Sequence, residues 1–401
     1  MRGKMHGKMR GMAAACALLA GSAQAGVGFE TAEGWKFSTD GWVILQAHKQ
    51  NGDLPGATGF RITSGTTPSL IAFNVTAPAT AGLNITSRVG LYINPHSGEG
   101  NFRNAGNVGD TGAKALDPRE IWTKVSAGWG EVVFGKAYSI YQGEAVLADA
   151  SVLAGGLTGY DHVNTPNAFA ASFNGGYMWA NFNAGVRYNS PRDTPLTFSV
   201  GVYDPSQIRN VFVGSGASQT RTPRVEAGLY YQPVLGTARI KLYADAIRQD
   251  ARGCMTAAGT PCASTRVATR GGAAGIVADL GAVNLVLTGF RGQGLGSVLL
   301  QDVDALDAAG LERDSRGYFG QLVYRPQPRL SLRYSHGRTH IDDTAATAGH
   351  TGKTHIAGAY LTVNPLLTVY GELARSTFTL NPVFGRATST DYATGGIRFM
   401  W

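Results

Sequence analysis

The sequence predicts an all-β protein, a transmembrane antiparallel up-and-down β-barrel of 16 strands with short periplasmic turns and long extracellular loops. Three observations predict it: an export segment, apolar residues at every second position of many segments, and short turns that alternate with long polar connections. The composition agrees, because 15% of the 401 residues are charged and 55 are glycine. A soluble α/β enzyme carries more charge, about 25%, and a disordered chain lacks the 43% of hydrophobic residues present here.

The first 25 residues have the pattern of a secretory signal peptide. Four basic residues precede a short apolar stretch at 12–20, and Ala23-Gln24-Ala25 is a small-residue cleavage site. The apolar stretch is too short to cross a bilayer as a helix. We therefore expect residues 1–25 to be removed and residues 26–401 to form the barrel. Removal leaves 31 basic and 27 acidic residues, a net charge of +4, so the high isoelectric point gives no reason to infer nucleic-acid binding.

Apolar residues alternate with polar or small ones in five clear segments. These segments are residues 83–93, 196–203, 225–232, 239–245 and 329–335. Because successive side chains on a strand point to opposite faces, each segment has one apolar face and one wet face. A soluble β-sandwich would show the same alternation, so the connections between the segments decide between the two folds.

The connections fall into two classes. Short turn signals occur at 77–79, 127–130, 190–193, 233–236, 279–281, 326–328 and 364–365. Long connections rich in Gly, Asp, Thr and Ser occur at 49–69, 94–118, 138–180, 204–223, 250–268, 291–316, 337–354 and 376–390. Short turns at one end and long loops at the other are typical of outer-membrane barrels. Lipid offers no hydrogen-bond partners to an open sheet edge, so the sheet must close.

The last strand carries a second export-related pattern. Ile397, Phe399 and Trp401 fall on one face and Arg398 on the other. A terminal aromatic residue with apolar residues at alternate positions resembles the barrel-assembly signal of Gram-negative outer-membrane proteins, in which the last residue is usually Phe. The resemblance implies recognition by the barrel-assembly machinery and insertion among the lipid and lipopolysaccharide of the outer membrane.

An internal segment gives a more specific resemblance. Asp117-Pro118-Arg119-Glu120-Ile121-Trp122, followed by Gly135-Lys136, is similar to the segment before the third loop of general diffusion porins, in which a Gly-Lys or Gly-Arg pair opens that loop. Residues 185–191 resemble the strand that leaves it. The resemblance implies a homotrimeric channel for passive diffusion of small hydrophilic solutes and ions, with residues 138–180 folded into the lumen. It implies neither enzyme activity nor a cofactor.

Charged residues in the inward phase of the alternation are the candidate pore constriction. Rings of charged side chains in a narrow, low-dielectric passage select ions by sign. The third loop supplies Glu144, Asp149 and Asp161. The wall supplies Arg88, Arg187, Lys241, Arg329 and Arg333, with Arg119 added by its place in the porin-like segment. These basic residues outnumber the inward acidic Glu226 and Asp245, so the sequence predicts a modest anion preference.

Cysteine and histidine residues give no sign of a metal site. Cys254 and Cys262 lie in a Gly-, Ala- and Thr-rich stretch, and outside the cytoplasm such a pair is expected to form a disulfide. Four histidines fall in one predicted loop region, where we expect solvated side chains rather than metal ligands: His336, His340, His350 and His355.

Three other functions fit parts of the sequence. The nearest is a substrate-specific channel with a track of inward tyrosines, for which the candidates are Tyr92, Tyr203, Tyr230 and Tyr243. An outer-membrane lipid hydrolase would need a Ser, a His and an acidic residue that converge, and no Gly-x-Ser-x-Gly motif occurs. A soluble secreted sandwich would fold without detergent.

Overall fold

The computed structural model describes most of the predicted barrel segment. The described residues are 26–53, 58–64, 68–93, 116–153, 158–159, 169–170, 172–173, 175–179, 181–210, 216–255, 260–262, 266–380 and 387–401. The predicted signal peptide (1–25) and Asp161 lie outside them. Within the described residues, no helix combines the length and the hydropathy needed to cross a membrane.

Strands make up most of the described chain. The first half contains β1 (Val27–Glu30), β2 (Lys36–Gly52), β3 (Gly59–Thr63), β4 (Ser69–Thr76), β5 (Asn84–Ile93), β6 (Leu116–Ala127), β7 (Gly130–Tyr138), α1 (Gly143–Ala148), α2 (Ala150–Leu153), β8 (Thr158–Gly159), β9 (Phe169–Ala170), β10 (Phe182–Asn189) and β11 (Leu196–Tyr203). The second half contains β12 (Ile208–Arg209), β13 (Gly216–Gln219), β14 (Arg224–Tyr231), β15 (Val234–Leu235), β16 (Ala238–Met255), β17 (Arg266–Asp279), β18 (Val283–Gln293), β19 (Asp314–Gln327), β20 (Leu330–Ile341), β21 (His350–Asn364), β22 (Leu367–Leu380) and β23 (Ala387–Met400).

The strands form one closed antiparallel sheet of sixteen wall positions. Two of these positions contain short strands end to end: β3 and β4 both pair with β2, and β13, β14 and β15 all pair with β16. The seam joins β2 to β23, from the pair Trp42 and Met400 to the pair Gly52 and Thr390. The two-stranded unit of β8 and β9 lies outside this sheet. The predicted fold class and strand number are thereby confirmed.

The alternation places apolar side chains outside and polar ones inside. On β14, Leu229 is 51% exposed on the outer face while Glu226 on the inner face is fully buried. On β16, Leu242 points outward and its neighbours Tyr243 and Asp245 are buried inside. An exposed apolar outer face is stable in hydrocarbon and costly in water.

Seven short turns connect the strands at the predicted sites. They separate β4 from β5, β6 from β7, β10 from β11, β15 from β16, β17 from β18, β19 from β20 and β21 from β22. The opposite ends differ from the prediction, because the strands extend farther into the expected loops. Residues 337–341 and 350–354 belong to β20 and β21, so the region predicted as loop 337–354 is mostly strand. His336, His340, His350 and His355 therefore lie on strands rather than in a loop.

The last strand has the predicted orientation. Ile397 and Phe399 are 44% and 43% exposed on the outer face, whereas Arg398 is buried on the inner face. The rings of Phe399 and Trp401 stack with centroids 6.0 Å apart. Backbone bonds of 3.2 Å in both directions join Trp401 to Gly41 and continue the seam with β2 to the end of the chain.

A disulfide joins Cys254 to Cys262 at the long-loop end of β16. The two sulfur atoms are 2.05 Å apart, and both cysteines pack in an apolar cluster with Ile208, Ala217 and Leu306. This cluster ties three of the long connections together at one end of the barrel.

Replacing Leu322 with Arg tests the outward orientation of β19. Leu322 is 47% exposed on the outer face near the middle of the strand. A charged side chain facing hydrocarbon costs about 2–4 kcal/mol at mid-bilayer, so we expect Leu322→Arg to lower the free energy of unfolding by that amount in lipid vesicles. Gln327→Arg, at the exposed periplasmic end of β19, is the control and should change it by less than about 0.5 kcal/mol. Equal losses would contradict the assignment.

Candidate functional site

The inner wall carries paired charges across β2, β4, β5 and β6, which follow one another in the sheet. Arg88 on β5 lies 2.7 Å from Asp40 and 2.7 Å from Glu120, and its guanidinium also donates to Asn74 at 2.9 Å. Strand pairing places these residues side by side, because Arg88 is opposite both Asn74 and Trp122. A guanidinium with several acceptors is held in one orientation, so Arg88 is a fixed charge in the wall.

Arg119 lies beside this cluster at the start of β6. Its Nε is 2.7 Å from Asp117, and its guanidinium carbon is 4.9 Å from the centroid of the Tyr92 ring. The hydroxyl of Tyr92 donates to Glu120 at 2.8 Å. The porin-like segment therefore builds a connected set of charges and one tyrosine on the inner wall, with Arg119 buried in it.

A strained glycine near the end of β7 and a buried carboxylate on β14 guide the chain into the long loop that follows β7. Gly135 has a φ of 113°, and a Cβ there would lie 2.3 Å from the carbonyl oxygen of Ile121, so only glycine fits. The Glu226 carboxylate accepts from the backbone N–H groups of Ile140 and Tyr141 at 2.8 and 3.0 Å. Arg224 lies 2.9 Å from Glu226. These contacts direct the first loop residues toward the inner face of the wall.

The two short helices of the loop make polar contacts with wall strands. Glu144 in α1 forms a 2.9 Å ion pair with Lys241 on β16. The side chain of Gln321 on β19 accepts from the Ala150 N–H at 2.9 Å and donates to the Ala148 carbonyl at 3.0 Å. One glutamine thus satisfies the backbone groups at the junction of the helices, which would otherwise be costly to bury.

Asp149, between the helices, is more enclosed than Glu144, the other acidic residue in the described part of the loop. It lies 3.3 Å from Arg333 on β20, and Arg333 lies 3.4 Å from Glu372 on β22; all three side chains are fully buried. Asp149 also accepts from the hydroxyl of Tyr177 at 2.5 Å. Burial and the adjacent Asp149 carboxylate raise the pKa of Tyr177, so its hydroxyl remains a hydrogen-bond donor.

An apolar cluster holds the other side of the loop against the wall. Val146, Phe173 and Tyr177 of the loop pack with Val286 and Phe319 of β18 and β19. Farther along, Gly176 donates to Thr339 on β20 at 3.0 Å, and Trp179 donates through its backbone to Val298 at 2.8 Å. The described parts of the loop therefore contact the inward faces of β14 and of β16 to β20.

The predicted site residues divide into three groups. Glu144 and Lys241 meet in one ion pair, and Asp149 and Arg333 meet in another. Arg88 and Arg119 lie on the inner wall and pair with other carboxylates, and Arg187 donates to the Tyr138 carbonyl at 3.1 Å. The assignment of Arg329 to the inner wall is wrong, because β20 begins at Leu330 and leaves Arg329 exposed in a periplasmic turn.

Several inner-wall carboxylates were not assigned from the sequence. Asp40, Glu120 and Glu372 pair with Arg88 or Arg333, and Glu131 lies 3.5 Å from Lys124. With Glu144 and Asp149 of the loop, they offset the excess of inward basic residues on which the anion preference was based. The only signal for Glu372 in the sequence is that it is the one acidic residue in the apolar and small-residue segment 369–374 of β22.

The four candidate tyrosines do point inward, but they do not form one stacked track. Tyr92 has ring contacts with Trp42 and Phe182, whereas Tyr243 donates its hydroxyl to Thr288 at 2.7 Å. In the described chain, the ring contacts do not join Tyr203, Tyr230 and Tyr243 to one another. The longest aromatic series among the described rings packs the third loop and includes only Tyr92 of these four; it runs through Trp42, Tyr92, Phe182, Tyr138, Trp179, Phe173, Tyr177 and Phe319.

Replacing Arg333 with Met tests the buried charge cluster. The change leaves the carboxylates of Asp149 and Glu372 without their shared cation, and removing one partner of a buried ion pair costs about 3–5 kcal/mol. We expect an equal loss in the free energy of unfolding and faster amide exchange at residues 143–153. Arg329→Met, in the exposed turn, is the matched control. Unchanged amide exchange in Arg333→Met would show that the cluster does not hold the loop.

The comparisons with known proteins agree with this geometry. The family model described as Gram-negative porin matches residues 12–380. No curated protein sequence matches this chain.

Solved structures of similar fold are outer-membrane channels. The outer membrane channel DcaP of Acinetobacter baumannii superposes with a TM-score of 0.69 at 12% identity, over 94% of this chain and 100% of that one. The anion-selective porin from Comamonas acidovorans gives 0.62 at 13%, over 92% and 100%. Salmonella typhi OmpF, in its complex with daunomycin, gives 0.59 at 12%, over 94% and 100%.

The barrel, its polar lining and the family match lead to the same result. The protein is located in the outer membrane and works as a diffusion channel rather than as an enzyme. The chain belongs to the Gram-negative porin family.

Proposed function

We propose that residues 138–180 form the constriction of the channel for small hydrophilic solutes and ions. The observation that carries this proposal is the set of contacts from Glu226, Lys241, Gln321 and Arg333 to the loop backbone and carboxylates. All four side chains point to the inside of the barrel. A sixteen-stranded barrel leaves an aqueous lumen, and a loop fixed against one side of its wall narrows that lumen.

Charged side chains of both signs lie on both sides of the proposed constriction. Glu144 and Asp149 are on the loop, which covers β16 to β20. Arg88 and Arg119 are on β5 and β6, whereas Arg187 is on β10 and donates to the Tyr138 carbonyl where the loop begins. Charges on facing sides of a passage act on a solute through a transverse field, and the strength of that field depends on how far each charge is paired. Asp161 is proposed as a further acidic residue of the loop.

The ionic selectivity of the channel follows from the pairing of its charges. Arg88, Arg119, Lys241 and Arg333 each have a carboxylate within ion-pair distance. Paired charges present a weak net field to a passing ion, so we propose weak selectivity instead of the anion preference expected from the sequence.

Single-channel reversal potentials in a salt gradient test this proposal. Lys241→Gln leaves Glu144 uncompensated and should shift the reversal potential toward cation preference. Glu144→Gln leaves Lys241 uncompensated and should shift it toward anion preference. The double variant is the control and should return close to the unmodified protein. Shifts of the same sign in both single variants, or no conductance steps at all, would contradict the proposed constriction.

A substrate-specific channel is the second candidate function. The observation that favours it is the number of buried tyrosines on the inner wall, including Tyr92, Tyr243, Tyr360 and Tyr370. In the same bilayer recordings, saturable block of the current by one class of solute would support it. A general channel shows no saturable block.

We propose a homotrimer that associates through the sector from β4 to β11. Its strands are short, and Phe73, Val89, Ile121, Phe134 and Phe198 are exposed on its outer face. The corresponding face of β16 to β22 carries many basic residues toward its extracellular ends. The short, apolar outer face of β4 to β11 is suited to contact with other subunits. The longer strands of β16 to β22, with basic residues at their extracellular ends, are suited to contact with lipid.

Paired alanine substitutions distinguish the two sectors. Phe134→Ala combined with Phe198→Ala removes apolar contact area from the proposed interface and should lower the trimer fraction at least tenfold in analytical ultracentrifugation in detergent. Leu322→Ala combined with Leu332→Ala, on the opposite sector, should leave the trimer fraction unchanged. An equal response of both pairs would place the interface elsewhere.

We also propose the export and assembly roles of the two chain ends. Residues 1–25 serve as a signal peptide cleaved after Ala25, and Ile397, Phe399 and Trp401 serve as the signal read by the barrel-assembly machinery. The outward orientation of Ile397 and Phe399 supports this role. Side chains on the outer face of the last strand are open to the assembly machinery until lipid surrounds that strand. Lipid and lipopolysaccharide of the outer membrane are the proposed surroundings of the outer face.

A further inference from the structure

Two histidines meet on the outer face of the barrel. His336 on β20 is directly opposite His355 on β21, and the centroids of their rings are 4.2 Å apart, with 25° between the ring planes. His336 shares its face with Leu332 and Tyr334, which are 40% and 51% exposed on the outer wall. The pair lies in the extracellular half of both strands. It is therefore outside the lumen and apart from the proposed constriction.

Hydrogen bonds engage the Nδ1 atom of both rings. Nδ1 of His336 lies 3.1 Å from the carbonyl oxygen of Thr354, and Nδ1 of His355 lies 2.8 Å from the hydroxyl of Tyr334. A carbonyl oxygen only accepts, so a neutral His336 carries its proton on Nδ1 and presents a lone pair on Nε2. The Tyr334 hydroxyl can accept from His355 in the same way. Imidazoles that bind metals are held like this, with one nitrogen fixed by the protein and the other directed at the ion.

Space for an ion and its water adjoins the pair. His336 lines a cavity of about 800 Å³ that opens outward, because Leu322 in the same lining is 47% exposed on the outer wall. On the β19 side, the residue opposite His336 is Gly320, which has no side chain. The Tyr318 hydroxyl is 3.5 Å from Nε2 of His336, a long distance for a hydrogen bond. The ring of His336 therefore has room to turn Nε2 toward an ion shared with His355.

The charges around the pair restrict which ions can bind. Arg375 on β22 is opposite His355, and the Asp391 carboxylate holds it at 2.6 and 2.7 Å, which offsets its charge. Arg338 and Lys353 are opposite each other at the next outward position toward the extracellular end. Their positive charge disfavours ions that bind mainly by charge to oxygen, such as Mg²⁺ and Ca²⁺. Zn²⁺, Cu²⁺ and Ni²⁺ also gain from bonds to imidazole nitrogen.

We propose that His336 and His355 bind one divalent transition-metal ion, Zn²⁺, Cu²⁺ or Ni²⁺, through their Nε2 atoms on the outer wall. Thr354 and Tyr334 are the positioning partners of the two rings. In the part of the chain that the structure describes, no third His, Cys, Asp or Glu side chain converges on the pair. The chain therefore supplies two ligands and water supplies the rest, so the ion is exchangeable, unlike one in a closed structural site of four protein ligands. A bound ion would also join β20 to β21.

Isothermal titration calorimetry with zinc chloride, on chelator-treated protein in detergent, tests the site. We expect a single ion per chain. His336→Phe and His355→Phe each keep an aromatic ring in the stack and remove a ligand, so each should weaken zinc binding at least tenfold. Tyr334→Phe keeps both ligands and removes the partner of the His355 Nδ1 atom, and it should weaken binding about tenfold. Excess magnesium chloride should not displace the zinc.

Electron paramagnetic resonance with copper(II) identifies the ligands independently of affinity. The unmodified protein should show nitrogen couplings from two imidazoles, and each single histidine variant should show no more than one. His340→Phe is the matched control, because His340 is on the same face of β20 and its ring nitrogens contact Thr351 and Asp342. It should change neither the zinc affinity nor the copper spectrum.

Two further measurements separate this site from the fold and from the channel. Heat-modifiable gel mobility confirms barrel closure in each variant. Because the pair lies outside the lumen, single-channel conductance should be the same in all of them, with and without zinc.

Several results would overturn the proposed site. Unchanged zinc binding in His336→Phe or His355→Phe would show that the stacked rings are a structural contact only. Equal loss of binding in His340→Phe would indicate diffuse binding to surface histidines. Displacement of zinc by magnesium, or a copper spectrum without two imidazole nitrogens in the unmodified protein, would also contradict the proposal.

Discussion

The backbone hydrogen bonds of a sheet in hydrocarbon impose the constraint on which the whole structure depends. Every strand edge must be paired, since lipid supplies neither donors nor acceptors. The protein meets this requirement at the seam between β2 and β23, which pairs residues 42–52 with residues 390–400 and continues through Trp401 and Gly41. Closure creates an interior that is separated from lipid, and only there can charged side chains and an irregular loop be accommodated.

That interior explains the arrangement of the charges. Arg88 and Arg333 are held by carboxylates on other strands or on the loop, and Arg224 by Glu226 on its own strand. A buried charge without a partner is costly, so the fixed partners stabilise each charge and keep it in place. The same pairs anchor the third loop, because Glu226 binds its first backbone amides and Arg333 binds Asp149. Stability of the loop and the electrostatics of the passage thus depend on the same residues.

The sequence predicts the wall well where the wall touches hydrocarbon. There, apolar and polar residues alternate without interruption, as in β11 and β14, and every short turn was located. The prediction fails above the hydrocarbon, because outward residues at headgroup height are themselves polar. His336, Arg338 and His340 face outward on β20, so both faces of the strand are polar in the sequence and the pattern predicts a loop there.

The candidate site was predicted as a set of residues but not as a set of contacts. A strand fixes the phase of Lys241 and Arg333, and both point inward as expected. The phase does not continue through a turn, which is why Arg329 was misplaced. The partners of Asp149 depend on the path of the third loop, and no local pattern encodes that path. Small residues stand on both faces of β22 beside Glu372, because Gly371 faces outward and Ala374 faces inward. The alternation of apolar and polar residues that would reveal the orientation of Glu372 is therefore weak.

Nonelectrolyte exclusion in planar bilayers tests the central claim most directly, namely a water-filled passage narrowed by residues 138–180. Conductance is recorded with ethylene glycol polymers of increasing size, for the unmodified protein and for a variant in which a short Gly-Ser linker replaces residues 143–179. The unmodified protein should exclude polymers that enter the variant and lower its conductance. An identical size limit in both proteins, or the absence of conductance steps, would contradict the claim.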